Sequence, residues 1–582
     1  MLKRTKKVVW SATAVVVLIV GLLGVFVLPR LLEDKETFDS SKPTKGITDT
    51  LHRDVPDDLP DPRFIEASSR LGIDFHHEVA PRGSLLVEDM GPGVAIADFN
   101  GDGLPDIYCV NGAVVGGTGG ANRMFYQQEG GTFNDATDSS RTGSSANGMG
   151  VAVGDVDGDG DLDLYITNHG PNVLFLNDGK GVFVDDTAAS GTGCELFGVG
   201  AQFGDVDSDG DLDLYVTNYL DFTNDERAVS ASLQYGQGVP FTLNPSSYDP
   251  VPNRLYINDG KGRFADRARV LGVEDAADRS MGVTICDFDE DGVPEIYVAN
   301  DISSNRLYIR NGDGTYTERS AQTLTSDYKG AMGMAVGDFD RDGDQDLFIT
   351  HWLAQENTLF RNGGAAKDEL FFEDVSHLFG LGAVALPDVG WGTHFFDYDN
   401  DGLLDLAVMN GNTQQDKKGR LVPQNNRFFW NAGERGFFEV ADVVCAEFAA
   451  PNVARGSAVG DIDNDGDLDL VVARNRGKLG VFINEGGNAQ AWLGISLRDD
   501  SGGNRFGVGA RLVARDGNGG LLASVQVGVS PSYLSQDQLR VHIGLGKLDS
   551  VASLLVQWPD GTHQELRNVP TRQHLVVTKE VR

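Results

Sequence analysis

One nine-residue phrase, Asp-x-[Asp/Asn]-x-Asp-Gly-x-x-[Asp/Glu], recurs seven times, starting at Asp98, Asp155, Asp205, Asp287, Asp338, Asp397 and Asp461. Each copy places acids at alternate positions around a Gly that lets the chain turn sharply, because without a Cβ it reaches φ > 0 cheaply. All seven copies keep that residue, as Gly103, Gly160, Gly210, Gly292, Gly343, Gly402 and Gly466. A single Asp/Gly-rich stretch is an ordinary solvated turn. Seven copies in register, each with an acid at position 9, require a common purpose.

That purpose is the binding of a hard divalent cation. Positions 1, 3 and 5 offer side-chain oxygens, position 7 a backbone carbonyl and position 9 a closing carboxylate, and six or more hard oxygens favour Ca²⁺ over Mg²⁺. The expected ligands are Asp98, Asn100, Asp102 and Asp106; Asp155, Asp157, Asp159 and Asp163; Asp205, Asp207, Asp209 and Asp213; and Asp287, Asp289, Asp291 and Glu295. The last three loops supply Asp338, Asp340, Asp342 and Asp346; Asp397, Asp399, Asp401 and Asp405; and Asp461, Asp463, Asp465 and Asp469. Up to seven structural Ca²⁺ ions are therefore expected, with the first loop weakest because Asn100 replaces an acid. An EF-hand closes with Glu at position 12 between helices. Here position 9 closes the loop and β-type sequence flanks it.

The loops explain much of the charge. The 582-residue chain carries a formal net charge of −38 from 86 acids and 48 bases, and ligand positions account for 27 of those acids. No basic stripe exists to neutralise phosphates, which argues against a nucleic-acid partner. Cys109, Cys194, Cys286 and Cys445 are scattered without metal or disulfide-framework spacing and read as small buried apolar residues.

The loops also act as a ruler. Repeats at a period of roughly 50 to 60 residues indicate propellers or stacked arrays. Five residues ahead of each loop stands a Gly within a short apolar strand: Gly93, Gly150, Gly200, Gly282, Gly333, Gly392 and Gly456. Gly weakens a strand unless another backbone approaches closely, as at a propeller axis. After each loop come a β-branched or aromatic strand such as Ile296–Asn300, a strand ending in an Asn-Gly or Asp-Gly turn, and a last strand opening on an aromatic such as Phe133, Phe183, Phe264 or Phe372. Four strands per unit predict an all-β, seven-bladed β-propeller over residues 63–488. The stretch around Phe64 reads as the outer strand missing from the seventh unit, so it is expected to close the ring. An insertion at about 219–252 is expected to form a long surface loop.

Before the propeller, Lys3, Arg4, Lys6 and Lys7 precede an apolar run from Val8 to Leu28. Such a run spans roughly 30 Å as a helix, the thickness of a bilayer core. Residues 1–29 are thus expected to be a transmembrane signal anchor, with the basic flank cytoplasmic and the bulk of the chain extracytoplasmic. Cleavage would make the protein secreted, although the run is long for a signal peptide and lacks a clear cleavage site. Residues 30–62, rich in charge, Ser, Thr and Pro, read as a flexible tether.

These repeats resemble FG-GAP (VCBS-type) blades, in which the Asp-rich loop binds Ca²⁺ and steadies the blade. From about residue 489 the sequence changes. Asn504-Arg-Phe-Gly-Val-Gly-Ala-Arg, Ser532-Tyr-Leu-Ser-Gln, His542-Ile-Gly-Leu-Gly and Val556-Gln-Trp-Pro-Asp-Gly resemble an ASPIC/UnbV domain, here a small β domain over 489–582. Together with Asp89-Met-Gly-Pro-Gly-Val-Ala, the pairing resembles the cartilage acidic protein family, which implies an extracellular Ca²⁺-binding protein and no established reaction.

No catalytic residue is assigned. His76, His77, His351, His394 and His542 lack metal-ligand spacing, and Ser532 and Ser535 lack a nucleophile elbow. Trp391, His394 and Arg455 fall on expected inner strands and read as packing between blades. The reading is a membrane-tethered binding or adhesion scaffold with an unidentified extracellular protein or glycan ligand. It leans against catalysis; the alternative is an extracytoplasmic enzyme acting on carbohydrate or a secondary metabolite.

Overall fold

The computed structural model describes residues 53–580 apart from 78–82, 84, 113–119, 223–230, 235–236, 241–243, 365–369, 417 and 531. Val8 to Leu28 lies outside the described residues, among which no helix is long and apolar enough to cross a membrane. The described chain is all-β apart from single helical turns.

Each Asp-rich loop joins the first two strands of a four-stranded antiparallel unit, and the fourth and fifth units are continuous, Glu295–Ser304 pairing with Tyr328–Gly337 to make one eight-stranded sheet. In the second unit these strands are Gly148–Gly154, Asp163–Asn168, Val173–Asn177 and Phe183–Asp185. The inner strand and its neighbour are buried along their whole length, whereas the outer strand buries only its opening Phe183. That gradient follows the sequence, since a strand covered on both faces needs a continuous apolar run. Inner strands of successive units touch around a complete cycle that ends with Ala454–Gly460 of the seventh unit against Val94–Ala97 of the first. The architecture is that of a β-propeller-type scaffold.

The seventh unit borrows its outer strand from the N-terminal side. Arg63–Glu66 pairs antiparallel with Gly480–Glu485, placing Phe64 opposite Asn484. Phe64 is buried with Phe396, Tyr398 and Phe428 of the sixth unit, so it joins the last two units as well as completing a sheet. Part of the expected tether also has partners. Arg53 donates to the carbonyl of Phe437 and lies 3.9 Å over the Phe438 ring, while Asp58 pairs with Arg435. The insertion after Tyr219 is more than a loop: Ala231–Gln234 pairs with Gln237–Pro240 as a hairpin, and Tyr219, Leu220, Phe222 and Tyr248 are buried at its base.

The axial glycines sit where backbones meet. A Cβ on Gly456 would stand 2.9 Å from the Cα of Gly93, and one on Gly333 only 2.0 Å from the carbonyl oxygen of Trp391. Only a residue without a side chain fits these approaches.

The C-terminal domain packs two sheets around Leu493, Ile495, Leu512, Leu554 and Val556. Ala491–Arg498 lies between Val541–Gly546 and, in parallel, Gln573–Thr578. The second sheet runs Leu521–Gln526, Arg511–Arg515, Ser550–Gln557 and His563–Pro570.

Candidate metal centres and the filled channel

Each loop is built by two left-handed residues. Position 6 is Gly with φ between 85° and 110°, beyond the region that L-residues tolerate. Position 4 is also left-handed, but Ser208, Glu290, Arg341, Asn400 and Asn464 hold φ between 57° and 66°, inside the narrow allowed well. That difference explains why position 6 never varies and position 4 does. The sequence signal at position 4 was hidden because five of its seven residues are not Gly.

Position 1 receives the N–H of the Gly, as in Gly160 to Asp155 at 3.0 Å and Gly402 to Asp397 at 2.7 Å. The closing acid has a double task. In the second unit Asp163 accepts from Val156 N at 3.0 Å and from Asn177 N of the third strand at 2.8 Å, binding the loop to its own sheet. Three carboxylates converge, with oxygens within 4.8 Å of one another, at Asp155, Asp157 and Asp163; Asp205, Asp207 and Asp213; Asp287, Asp289 and Asp291; Asp338, Asp340 and Asp346; and Asp397, Asp399 and Asp405. Buried Oδ1 atoms of Asp287 and Asp338 have no hydrogen-bond partner. Burial pushes Asp155 up to about 7 and Asp338 up to about 8, with the charges of Asp159 and Asp342 adding to the effect. Glu295 and Asp346 are raised well above the carboxylate range, mainly by burial. Clustered, half-desolvated carboxylates with unused oxygens are a donor set that fits a divalent cation.

A second repeated device ties each loop to the next unit. The Asn ending the third strand donates its side-chain amide to the position-2 carbonyl of the preceding loop. The bonds are Asn177 to Phe99 at 2.8 Å, Asn258 to Val156 at 2.8 Å, Asn362 to Phe288 at 2.8 Å, Asn431 to Phe339 at 2.9 Å and Asn484 to Tyr398 at 2.7 Å. In the fourth unit the third strand ends at Arg310, and the Tyr316 hydroxyl instead reaches Val206 O at 2.9 Å. Gln127 completes the cycle from the first unit to Ile462 of the seventh at 2.9 Å. These residues were read only as hairpin flanks; their recurrence just before the turn was the available signal.

The chain itself enters the channel. Residues 527–530 and 532–540 of the C-terminal domain enter from the end where inner strands run into the Asp-rich loops, Gly528 and Val529 meeting Gln202 and Thr284 and Gln538 meeting Asp461. Their backbone pairs with those strands: Ile96 N donates to Gln536 O at 3.2 Å, Gln536 N to Val94 O at 3.0 Å, Val151 N to Leu534 O at 3.1 Å and Gln538 N to Val459 O at 3.1 Å. Tyr533 at the tip stands 5.0 Å from the Trp391 ring and donates to Met90 O at 3.2 Å. Leu85, Leu86, Val87 and Met90 join the same apolar cluster. Arg455 is fully buried, with its guanidinium 4.0 Å over Trp391 and bonds to the carbonyls of Asp89, Gly411 and Ala454. Trp391 and Arg455 are therefore packing residues, as their strand positions suggested.

His394 joins the two domains. Its Nε2 lies 2.7 Å from Ser457 Oγ and 3.1 Å from Ser532 Oγ, and its Nδ1 lies 3.1 Å from Asp537. This is a Ser–His–Asp grouping, but Ser457 is 0% and Ser532 2% exposed; the Ser532 hydroxyl serves the domain contact, while that of Ser457 bonds His394 within the propeller. Ser535 donates to Tyr533 O and accepts from Val94 N. The structure does not bring the remaining histidines together. His76 bridges to Lys478, His351 lies near Asp327, and His542 bonds Asn400 in the sixth loop. Burial lowers His77 to about 3 and His542 to about 3, which keeps both neutral. All four cysteines are buried and free.

Models of the FG-GAP-like repeat match residues 98–166, 155–216, 241–298, 287–349 and 397–472, together just over half of the chain. The chain belongs to the FG-GAP-like repeat family. The ASPIC and UnbV model matches residues 500–582. Similar proteins include cartilage acidic protein 1 of Xenopus tropicalis, 28% identical over 48% of this chain and 42% of the relative, and that of Homo sapiens, 26% identical over 48% and 41%. The chain thus spans less than half the length of these curated relatives. Among solved structures, YCF48 bound to D1 peptide aligns with a TM-score of 0.38 at 9% identity over 76% of this chain and 99% of that one. BBS1N in complex with ARL6DN aligns at 0.39 and 9% over 70% and 96%. The clustered Asp groups of these repeats are a donor set able to hold metal ions.

Proposed function

We propose that this protein is a membrane-tethered, extracytoplasmic binding or adhesion scaffold: a seven-bladed propeller whose loops hold structural Ca²⁺. The blade count is supported by seven loops, five heading separate four-stranded sheets and two heading the halves of an eight-stranded one, and by an Asn, Tyr or Gln latch from every unit to its predecessor. Ca²⁺ is supported by the hard oxygen donors and their unused, buried lone pairs. The tether is supported by the apolar run after Lys7, and the extracytoplasmic side by its basic flank.

The observation that carries the binding reading is the segment of the C-terminal domain inserted into the channel. An enzyme needs convergent acid and base groups at an accessible pocket, and the Ser–His–Asp grouping is instead used up in holding two domains together. The ligand, an extracellular protein or a glycan, is read by surface loops, since connecting segments on a rigid scaffold commonly carry recognition. Nucleic acid is not a partner of so acidic a surface. The test is a glycan and protein array probed with the detergent-purified chain in millimolar Ca²⁺ and in chelator. Saturable, Ca²⁺-dependent binding without conversion of the ligand is expected; chemical turnover of a captured ligand would replace the scaffold reading with an enzymatic one.

A further inference from the structure

The seven loops are alike in sequence, but the C-terminal domain treats the seventh differently. Arg540, at the end of the inserted segment, donates Nη1 to Asn464 Oδ1 at 2.6 Å and stands 3.8 Å from Asp461 Oδ2. Asp461 is position 1 of the loop and Asn464 its left-handed position 4. His574 adds a second contact, with Nε2 3.3 Å from the same Asp461 oxygen, which also accepts from Gly466 N. The carboxylate side chain is 2% exposed and that of Arg540 15%, so water screens the pair poorly. Arg540 also feels the charge of Asp98, position 1 of the first loop, but makes its contacts with the seventh.

Guanidinium groups elsewhere meet the loops differently. Arg361 stands 4.0 Å from Asp340 in the fifth loop, but at position 3 and with a third of its side chain in solvent. Arg341 donates to the carbonyls of Asp401 and Gly402 in the sixth loop, and its charge acts on Asp401 at position 5 rather than on the position-1 acid. Arg511 pairs with Glu290, which is not a ligand position. Ca²⁺ affinity rises with the number of charged ligands left to neutralise, and at the seventh loop part of that charge is already answered.

We propose that Arg540 is a resident cation of the seventh loop, making this loop, in spite of its four acids, the weakest divalent-cation site of the ring. The expectation from composition alone was that the first loop, with Asn100, would be weakest. The inference rests on the reading of the loops as Ca²⁺ sites and concerns which of them the C-terminal domain has weakened.

The experiment uses the full chain in detergent, stripped with chelator and titrated with Ca²⁺ by calorimetry, with bound calcium counted at graded free concentrations. Asp463→Asn, at position 3 of the seventh loop, should leave the number of tight equivalents unchanged from wild type, whereas Asp340→Asn in the fifth loop should lower it by one. Arg540→Gln should gain one tight equivalent, at least tenfold tighter than in wild type, and D463N in that background should remove it. A D463N chain that loses one tight equivalent would overturn the proposal, and this arm does not depend on R540Q folding. So would a folded R540Q chain with an unchanged count. No calcium bound by any loop would instead overturn the Ca²⁺ reading on which the proposal depends.

Discussion

Asn431 holds two units together through one amide, and replacing it by Ala removes that link together with the acceptor for Gly433 N at 3.0 Å. Its Nδ2 donates to Phe339 O of the fifth loop at 2.9 Å and to Leu404 O of its own loop at 3.0 Å, while its backbone N–H, which the mutation keeps, donates to Asp405 at 2.8 Å. Asn431 is 1% exposed, so water does not replace the lost donors. Leaving a buried carbonyl without its donor costs about 1–3 kcal/mol, and with two affected N431A should lose roughly 2–6 kcal/mol. Asn431→Asp keeps the shape but sets a carboxylate against both carbonyls, and should lose at least as much. Urea unfolding at fixed Ca²⁺, followed by tryptophan fluorescence, reads the difference as a lower midpoint at unchanged slope. An N431A midpoint equal to wild type, corresponding to less than about 0.5 kcal/mol, would refute the latch as an energetic link.

Other perturbations probe the same architecture. Gly333→Ala places a Cβ 2.0 Å from Trp391 O and should destabilise by about 1–3 kcal/mol or more through overpacking, whereas Gly312→Ala, where nothing lies within 4 Å, should be neutral; thermal melts distinguish them. Phe64→Ala removes the ring that joins the N-terminal strand to Phe396, Tyr398 and Phe428, and should cost about 3–5 kcal/mol in chemical denaturation; a wild-type midpoint would deny the strand its closing role. Tyr533→Ala empties the tip of the inserted segment at Trp391 and Met90 and should speed proteolytic release of the C-terminal domain; an unchanged cleavage rate would show that the segment does not anchor it.

What was legible in the sequence was local and periodic. The Asp-rich loops, the glycine five residues ahead of each and the aromatic opening of each outer strand recur at fixed offsets, so they exposed the unit. The Phe64 strand was found because the seventh unit visibly lacked one. The latch residues also recur, but Asn177 and its counterparts stand beside Asn-Gly and Asp-Gly turns, where Asn is ordinary, and nothing local says that the amide reaches across to Phe99 of another unit. The inserted segment was illegible for a different reason. Ser532, Tyr533 and Gln536 have no periodicity, and their partners, Thr393, Met90 and Val94, lie more than a hundred residues away in sequence. Arg540 was hidden likewise, because its significance lies in the domain contact that brings it to Asp461.

The Asp-rich loops are proposed to be cation-held joints of the propeller. A melt of the chain in excess chelator, then in rising Ca²⁺ up to millimolar, tests this claim most directly. Binding only to the folded state adds about 2–3 kcal/mol for each site filled to 50–100 times its Kd, so the midpoint should climb with Ca²⁺ by many degrees and then level off. Superimposable melts in chelator and in millimolar Ca²⁺ would contradict the claim.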